Sequence, residues 1–161
     1  MTTKPLEATV VAVCLSPEPG VPKYPQAEVS VGPHGIEGDY HAGPTRVRRG
    51  QTAPNTRHVS LVAREVIEEV NRALGTEIPA GGLGENVLVQ GLGDLGDLVA
   101  GQRLRFSSGV ELEVTGQNNP CRNLCVYHPQ APKRLMGRRG VVAVVVTPGP
   151  LRPGDRVELV S

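Results

Sequence analysis

The 161-residue sequence predicts a mainly β protein, its strands joined in a closed or nearly closed barrel with a few peripheral helices. Three observations carry that expectation. Twenty Gly and fifteen Pro favour short strands and turns over long helices. Strand-like stretches recur between turn signals, and a single segment has clear helical periodicity. The length suits one domain over 1–161, large enough for one good core.

In chain order, the first strand falls at 8–14, where Val10, Val11, Ala12, Val13 and Cys14 run apolar. Segment 16–26 holds four prolines and reads as a rigid surface loop, and 46–57 as a second long one. Residues 63–74 read as an amphipathic helix: Val66, Ile67, Val70 and Leu74 share one face. Glu65, Glu68, Glu69 and Arg72 lie largely opposite, and Gly75 ends the helix. Strands follow at 87–90 and 103–106, with Ser107-Ser108-Gly109 turning the chain into 110–115. There Val110, Leu112 and Val114 alternate with Glu111, Glu113 and Thr115, the pattern of a half-buried strand. Val141 to Val146 is apolar on both faces, so 141–147 is expected as a central, doubly covered strand, and 156–160 as the last.

A net charge of +1 gives no global attraction to nucleic acid or membranes. With no Trp, one Phe and three Tyr, the stacking platform of a single-strand binder is missing. No apolar run approaches a membrane span, and Met1-Thr2-Thr3-Lys4-Pro5 lacks the apolar segment of a signal peptide, so a cytoplasmic protein is expected. Three cysteines argue for free thiols over a disulfide framework. Arginines cluster at Arg46, Arg48, Arg49 and Arg57, and cations again at Lys133, Arg134, Arg138 and Arg139; such clusters are most often solvated surface.

The richest stretch is Asn119-Pro120-Cys121-Arg122, after the loop 116–119. Asn is a favoured helix cap and Pro a favoured first helical residue, which places Cys121 in the first turn of a short helix. Free N–H groups and the helix dipole stabilise a thiolate there, and Arg122 adds a positive charge beside it. Such a thiol suits a nucleophile, a sulfur carrier or a metal ligand; a small buried gap-filler is the alternative. Cys125 is read as core, with a resolving thiol as the alternative, and Cys14 as packing; a closed zinc site from Cys121, Cys125 and His128 is disfavoured because such sites draw ligand pairs from separate segments. In 35–43, Glu37, Asp39 and His41 alternate and point one way if the stretch is extended; a turn in which Asp39 bonds backbone N–H groups is the other reading. The glycines of 81–84 let N–H groups converge on an anion, as in a backbone nest, or simply make a tight turn. Glu85 should then pair with an arginine or with backbone.

Gly-Ile-Glu-Gly-Asp-Tyr-His-Ala-Gly at 35–43, Arg57-His58-Val59-Ser60-Leu61 ahead of a helix, Leu83-Gly84-Glu85-Asn86-Val87, Asn119-Pro120-Cys121, the strand from Gly140 and Arg152-Pro153-Gly154-Asp155 resemble, in this order, the MOSC domain. That family is named after the C-terminal domain of molybdenum cofactor sulfurase. The resemblance implies a barrel-like β fold binding molybdenum cofactor (molybdopterin) in a cleft. Cys121 would be the metal's ligand through the cofactor, or carry sulfur as a persulfide. Asp39, His41, Arg49, Arg57, Gly84, Asn86, Asn119 and Arg122 are the expected cofactor-binding residues. The implied chemistry is reduction of N-hydroxylated bases, with an external electron donor, or sulfur delivery from a desulfurase partner; a non-catalytic carrier of cofactor or sulfur is the alternative. Pyridoxal phosphate is not expected, since it belongs to the desulfurase half of larger relatives. The sequence departs from small members of the family at Asn118, where an arginine is common; Arg122, Arg49 or Arg57 are the candidates to replace its charge.

Overall fold

The computed structural model describes residues 7–160, so the reading of Met1–Pro5 lies outside the described residues. The strands are β1 (Thr9–Leu15), β2 (Tyr24–Gln26), β3 (Val29–Gly32), β4 (Gly35–Ile36), β5 (Thr45–Arg48), β6 (Gln51–Pro54) and β7 (Val59–Ala63). After helix α1 (Arg64–Leu74) come β8 (Val87–Gln90), β9 (Arg103–Phe106) and β10 (Glu111–Gln117). A 3₁₀ turn (Arg122–Val126) and α2 (Ala131–Arg134) precede β11 (Val141–Thr147), β12 (Gly149–Leu151) and β13 (Val157–Val160). Among the described residues no helix is long and apolar enough to cross a membrane.

Eight strands make the main sheet, ordered β13-β9-β10-β11-β7-β8-β1-β2. Its pairs are antiparallel except β7 with β8, which run parallel because α1 returns the chain between them. The fold is mainly β, as its composition predicts, but the sheet does not close into a barrel. The free edge of β1 is divided: Val13–Leu15 pair with β2, which leaves only the strand's start for the far end of the sheet. There a single bridge joins Thr9 to Arg156, Val10 N–H donates to the Asp155 carbonyl at 2.8 Å, and Val157 N–H donates to the Ala8 carbonyl at 3.0 Å. β3, β4 and β12 form a second, smaller sheet.

The alternation at 110–115 is realised, with Val110, Leu112 and Val114 buried. The turn at 107–109 closes through Gly109 N–H to the Phe106 carbonyl at 2.9 Å. Helix α1 buries Val66, Ile67 and Val70 and stops at Gly75, which is left-handed at φ 68°. β11 is central, between β10 and β7, yet only Val141, Val142 and Ala143 are fully buried and the strand emerges toward solvent after them. Its start depends on Gly140: a Cβ there would lie 1.9 Å from the Leu61 carbonyl oxygen, closer than any side chain permits.

Segment 46–57, expected as an irregular loop, is instead largely the hairpin β5–β6. Arg49 and Gly50 at its tip both have positive φ, 52° and 78°, the turn geometry that matches strand twist. Every residue of both strands is exposed, and the pair forms its own two-stranded sheet.

Candidate functional site

A cavity of about 400 Å³ opens where the end of β10, the start of β11, β7 and the 81–86 loop meet. Cys121, Arg57, Arg139, His41, Gly84 and Asn86 are on its wall, within the size range of small-ligand sites.

Cys121 reaches the cavity by a route other than the one its sequence suggests. Asn118 N–H donates to the Gly140 carbonyl at 2.9 Å, and the chain then runs extended through Cys121, at φ −131° and ψ 172°. The following turn is five residues of 3₁₀ helix, with no side-chain cap, and Cys121 precedes it. Asn119 is therefore no cap and Cys121 does not sit in a first helical turn, so helix-end stabilisation of its sulfur does not apply. What surrounds the sulfur instead is side chains. Sγ bonds Asn123 Oδ1, and Arg139 Nη1 lies 3.5 Å away. Asn119 lines the cavity and offers its carbonyl to Arg139 Nη1 at 2.8 Å.

Arg139 is 8% exposed, and Nη2 donates to the Leu83 carbonyl at 2.9 Å. Its Nε has no partner among the described residues, an unpaired donor on a buried cation. Across the cavity, Arg57 Nη2 donates to Asn118 Oδ1 at 2.6 Å. The guanidinium of Arg57 is pulled below its ordinary value, first by burial and then by Arg46, Arg139 and Arg48, against the opposing pull of Cys121. Four guanidiniums thus share one region without a matching carboxylate at the cavity wall, which makes it a place for an anion.

His41 and Asp39 are brought together in a turn, because Asp39 N–H bonds the Ile36 carbonyl at 3.0 Å and Ala42 N–H returns to Asp39 at 3.2 Å. The extended, same-side arrangement is not formed. Asp39 is buried behind the cavity and does not line it. Its Oδ1 accepts Ser16 N–H at 3.0 Å, and its Oδ2 accepts Lys23 Nζ at 2.8 Å and His41 N–H at 3.1 Å. Burial alone would raise this carboxyl, but Lys23 and the two N–H donors outweigh it and hold it below the usual range. Lys23 Nζ also lies 3.0 Å from His41 Nδ1.

The 81–84 glycines do form a nest, and the carboxyl group in it is the chain's own. Glu85 accepts Gly81 N–H at 2.9 Å and Leu83 N–H at 3.0 Å, the backbone partners expected of it. Burial pushes its carboxyl up to about 7, against those N–H groups and Arg139. Gly81, at φ +81°, is required: a Cβ would stand 2.1 Å from the Lys23 carbonyl oxygen. Asn86 is a buried bracket, accepting Ser60 N–H at 3.1 Å and donating to the Cys14 carbonyl at 3.1 Å.

Besides Asp39, two expected residues stay outside the cavity wall. Arg49 is spent on the hairpin tip, and its neighbour Arg48 lines the cavity in its place; Arg122 is exposed within the 3₁₀ turn. Cys125 is exposed and not core, because that turn buries Leu124 alone. Cys14 is buried, and burial, then Glu85, pushes its thiol up to about 12. Sequence reasoning missed Lys23, Arg48, Ser60 and Arg139 at or behind the site. Arg139 had a usable signal, its place directly before the glycine that starts β11; Lys23, between Pro22 and Tyr24, had none.

Residues 37–158 match the family model of the MOSC domain. The chain is 35% identical over 147 residues to YuaD of Bacillus subtilis (strain 168), covering 79% of this chain and 77% of that one; its given name connects YuaD with metal–sulfur cluster biosynthesis. The crystal structure of the Bacillus subtilis protein superposes with a TM-score of 0.85 at 28% identity, over 96% of each chain. YiiM from Geobacillus stearothermophilus shares the fold, with a TM-score of 0.72 at 22% identity over 96% of this chain and 75% of that one.

Proposed function

Since the chain belongs to the MOSC domain family, we propose that its cavity binds molybdenum cofactor, with Cys121 as the metal's sulfur ligand or as a persulfide carrier. The observation that carries the reading is the meeting of an exposed thiol with a buried cation: Cys121 Sγ lies 3.5 Å from Arg139 Nη1, on a wall that also holds Arg57 and Arg48. The residues fit the group. Unbalanced guanidiniums suit a pterin phosphate, the unpaired Nε of Arg139 marks a donor without an acceptor, and a soft sulfur suits a metal already held by the pterin's sulfurs.

When bound, the cofactor supplies two-electron redox chemistry at molybdenum. The chain's own residues do the rest. Arg57 and Arg48 neutralise and orient the anionic end, Ser60 and Asn86 hold the wall in place, and Arg139 fixes the loop that presents Cys121. The substrates the family resemblance points to are N-hydroxylated bases, reduced with electrons from an external donor. A second reading, sulfur or cofactor delivery to a partner enzyme without turnover, is favoured by the exposure of Cys121 and by the name given to YuaD.

Protein purified from a cofactor-competent host tests both. Stoichiometric molybdenum lost on Cys121→Ser supports cofactor binding, and its retention by that variant refutes the ligand role. Turnover of a hydroxylamine or hydroxamidine by the loaded protein selects the reductase; persulfide on Cys121 without turnover selects the carrier.

A further inference from the structure

Lys23 is 1% exposed and packed behind the cavity, where its ammonium has only donors to offer. It lies 2.8 Å from Asp39 Oδ2 and 3.0 Å from His41 Nδ1. Asp39 in turn accepts the His41 backbone N–H at 3.1 Å, so the carboxylate anchors both residues. Burial pulls Lys23 down, but an ionised partner at 2.8 Å keeps its proton in place. A donor facing Nδ1 requires a lone pair there. The single proton of the neutral ring is then on Nε2, which has no hydrogen-bond partner among the described residues, on a ring that lines the cavity.

We propose that Lys23 and Asp39 are positioning residues that lock His41 in the neutral Nε2–H form, giving the cavity one fixed donor for an acceptor oxygen, an oxyanion or oxo group, on the bound molecule. The charged groups around the ring agree. Lys23 stands behind it, Arg57 acts from the cavity wall and Arg46 from the hairpin beside it, and Asp39 alone opposes them. With burial as the largest cause, His41 is pushed down to about 4. It therefore stays uncharged through the range in which an ordinary histidine titrates, and it works as a donor and not as a base. The tight pairing of the ring with an ammonium also separates this site from the common carboxylate–histidine arrangement, in which the partner accepts from Nδ1–H.

The inference deepens the function proposed above and rests on the cavity being the binding site, but the tautomer is a property of the free protein. Long-range proton–nitrogen spectra of histidine-labelled protein read it directly. The expected result is the Nε2–H pattern for His41 at neutral pH, with protonation only near about 4. Lys23→Met, checked for fold by circular dichroism, should mix the two tautomers and move protonation toward about 6.5. Inorganic molybdate should shift the Nε2 resonance. An Nδ1–H pattern in the unsubstituted protein, or protonation there near about 6.5, overturns the inference even if Lys23→Met does not fold. So does an Nε2 resonance that molybdate leaves unmoved. Failure to load cofactor overturns the proposed function and leaves the tautomer result standing.

Discussion

Arg139 Nη1 stands 3.5 Å from Cys121 Sγ while Nη2 of the same side chain holds the Leu83 carbonyl at 2.9 Å. One buried cation thereby joins the loop that presents the thiol to the loop that forms the opposite wall. Arg139→Met should cost about 1.5–3 kcal/mol of stability, the value of charge-assisted bonds left unmade, as read by urea unfolding. Arg139→Lys restores the charge but not the planar fork, and should recover less than half of the loss. A Met variant as stable as the parent would show that Arg139 does not tie the two loops.

Arg57 should set affinity for an anion. Its guanidinium is already held by Asn118 at 2.6 Å, so little ordering remains to be done when a ligand binds. Arg57→Ala is expected to weaken binding of an anionic pterin by about 10- to 100-fold, equivalent to one charge-assisted contact. The dependence of that affinity on salt should fall too. Calorimetry at two ionic strengths checks both, and unchanged affinity would remove Arg57 from the binding wall.

Glu85 and His41 pull the pH dependence of stability in opposite directions. The Glu85 carboxyl rises from 4.5 to about 7, so the folded protein keeps a proton that the unfolded chain has lost. Its stabilisation is complete below 4.5 and is lost as pH rises through about 7. His41 falls from 6.5 to about 4, so its stabilisation is complete above 6.5 and is lost as pH falls through about 4. His58, lowered by burial and then by His34, has the sign of His41. Glu85 and His41 are each worth about 3 kcal/mol across their windows. Glu85→Gln should therefore make stability climb more steeply with pH between 4.5 and 6.5, and His41→Gln should make it climb less or fall. Urea midpoints at several pH values decide it; parallel curves for the variants and the parent would contradict both assignments.

The thiols should separate by reagent charge. Cys14 is buried, with its thiol pushed up to about 12, and should label only on unfolding. Cys121 and Cys125 are both exposed, but only Cys121 lines the cationic cavity. Iodoacetate should favour Cys121 over Cys125 more than neutral iodoacetamide does, and added salt should narrow the gap. Peptide mass mapping after brief labelling gives the ratios. Equal ratios for the two reagents would mean that the arginines do not govern access to Cys121.

What the sequence made legible was what short-range pattern controls. The alternation at 110–115, the apolar face of α1 and the turn at 107–109 all arise from neighbours in the chain. Cys121, Gly84, Asn86, His41 and Arg57 could be named as candidates because short motifs contain them, and the fold brings them to one cavity. Arg49 falls in the turn after β5 and off the cavity wall, while Arg48 at the strand's end lines it, a one-position difference set by where the hairpin turns. Lys23 was invisible. Its role depends on Asp39, sixteen residues away, and on burial that no local pattern encodes. The same holds for Arg139, whose partners Leu83 and Asn119 lie in other segments.

The hairpin β5–β6 leaves the main sheet and pairs with no other strand, yet it carries Arg46 and Arg48 beside the cavity. Its residues contribute nothing to the core, so its length and composition can drift with little penalty to folding. On the proposed function, part of the recognition surface thereby sits on an arm that the core does not depend on. A lineage can retune what the cleft accepts by editing this arm, while Cys121 and the sheet behind it stay as they are.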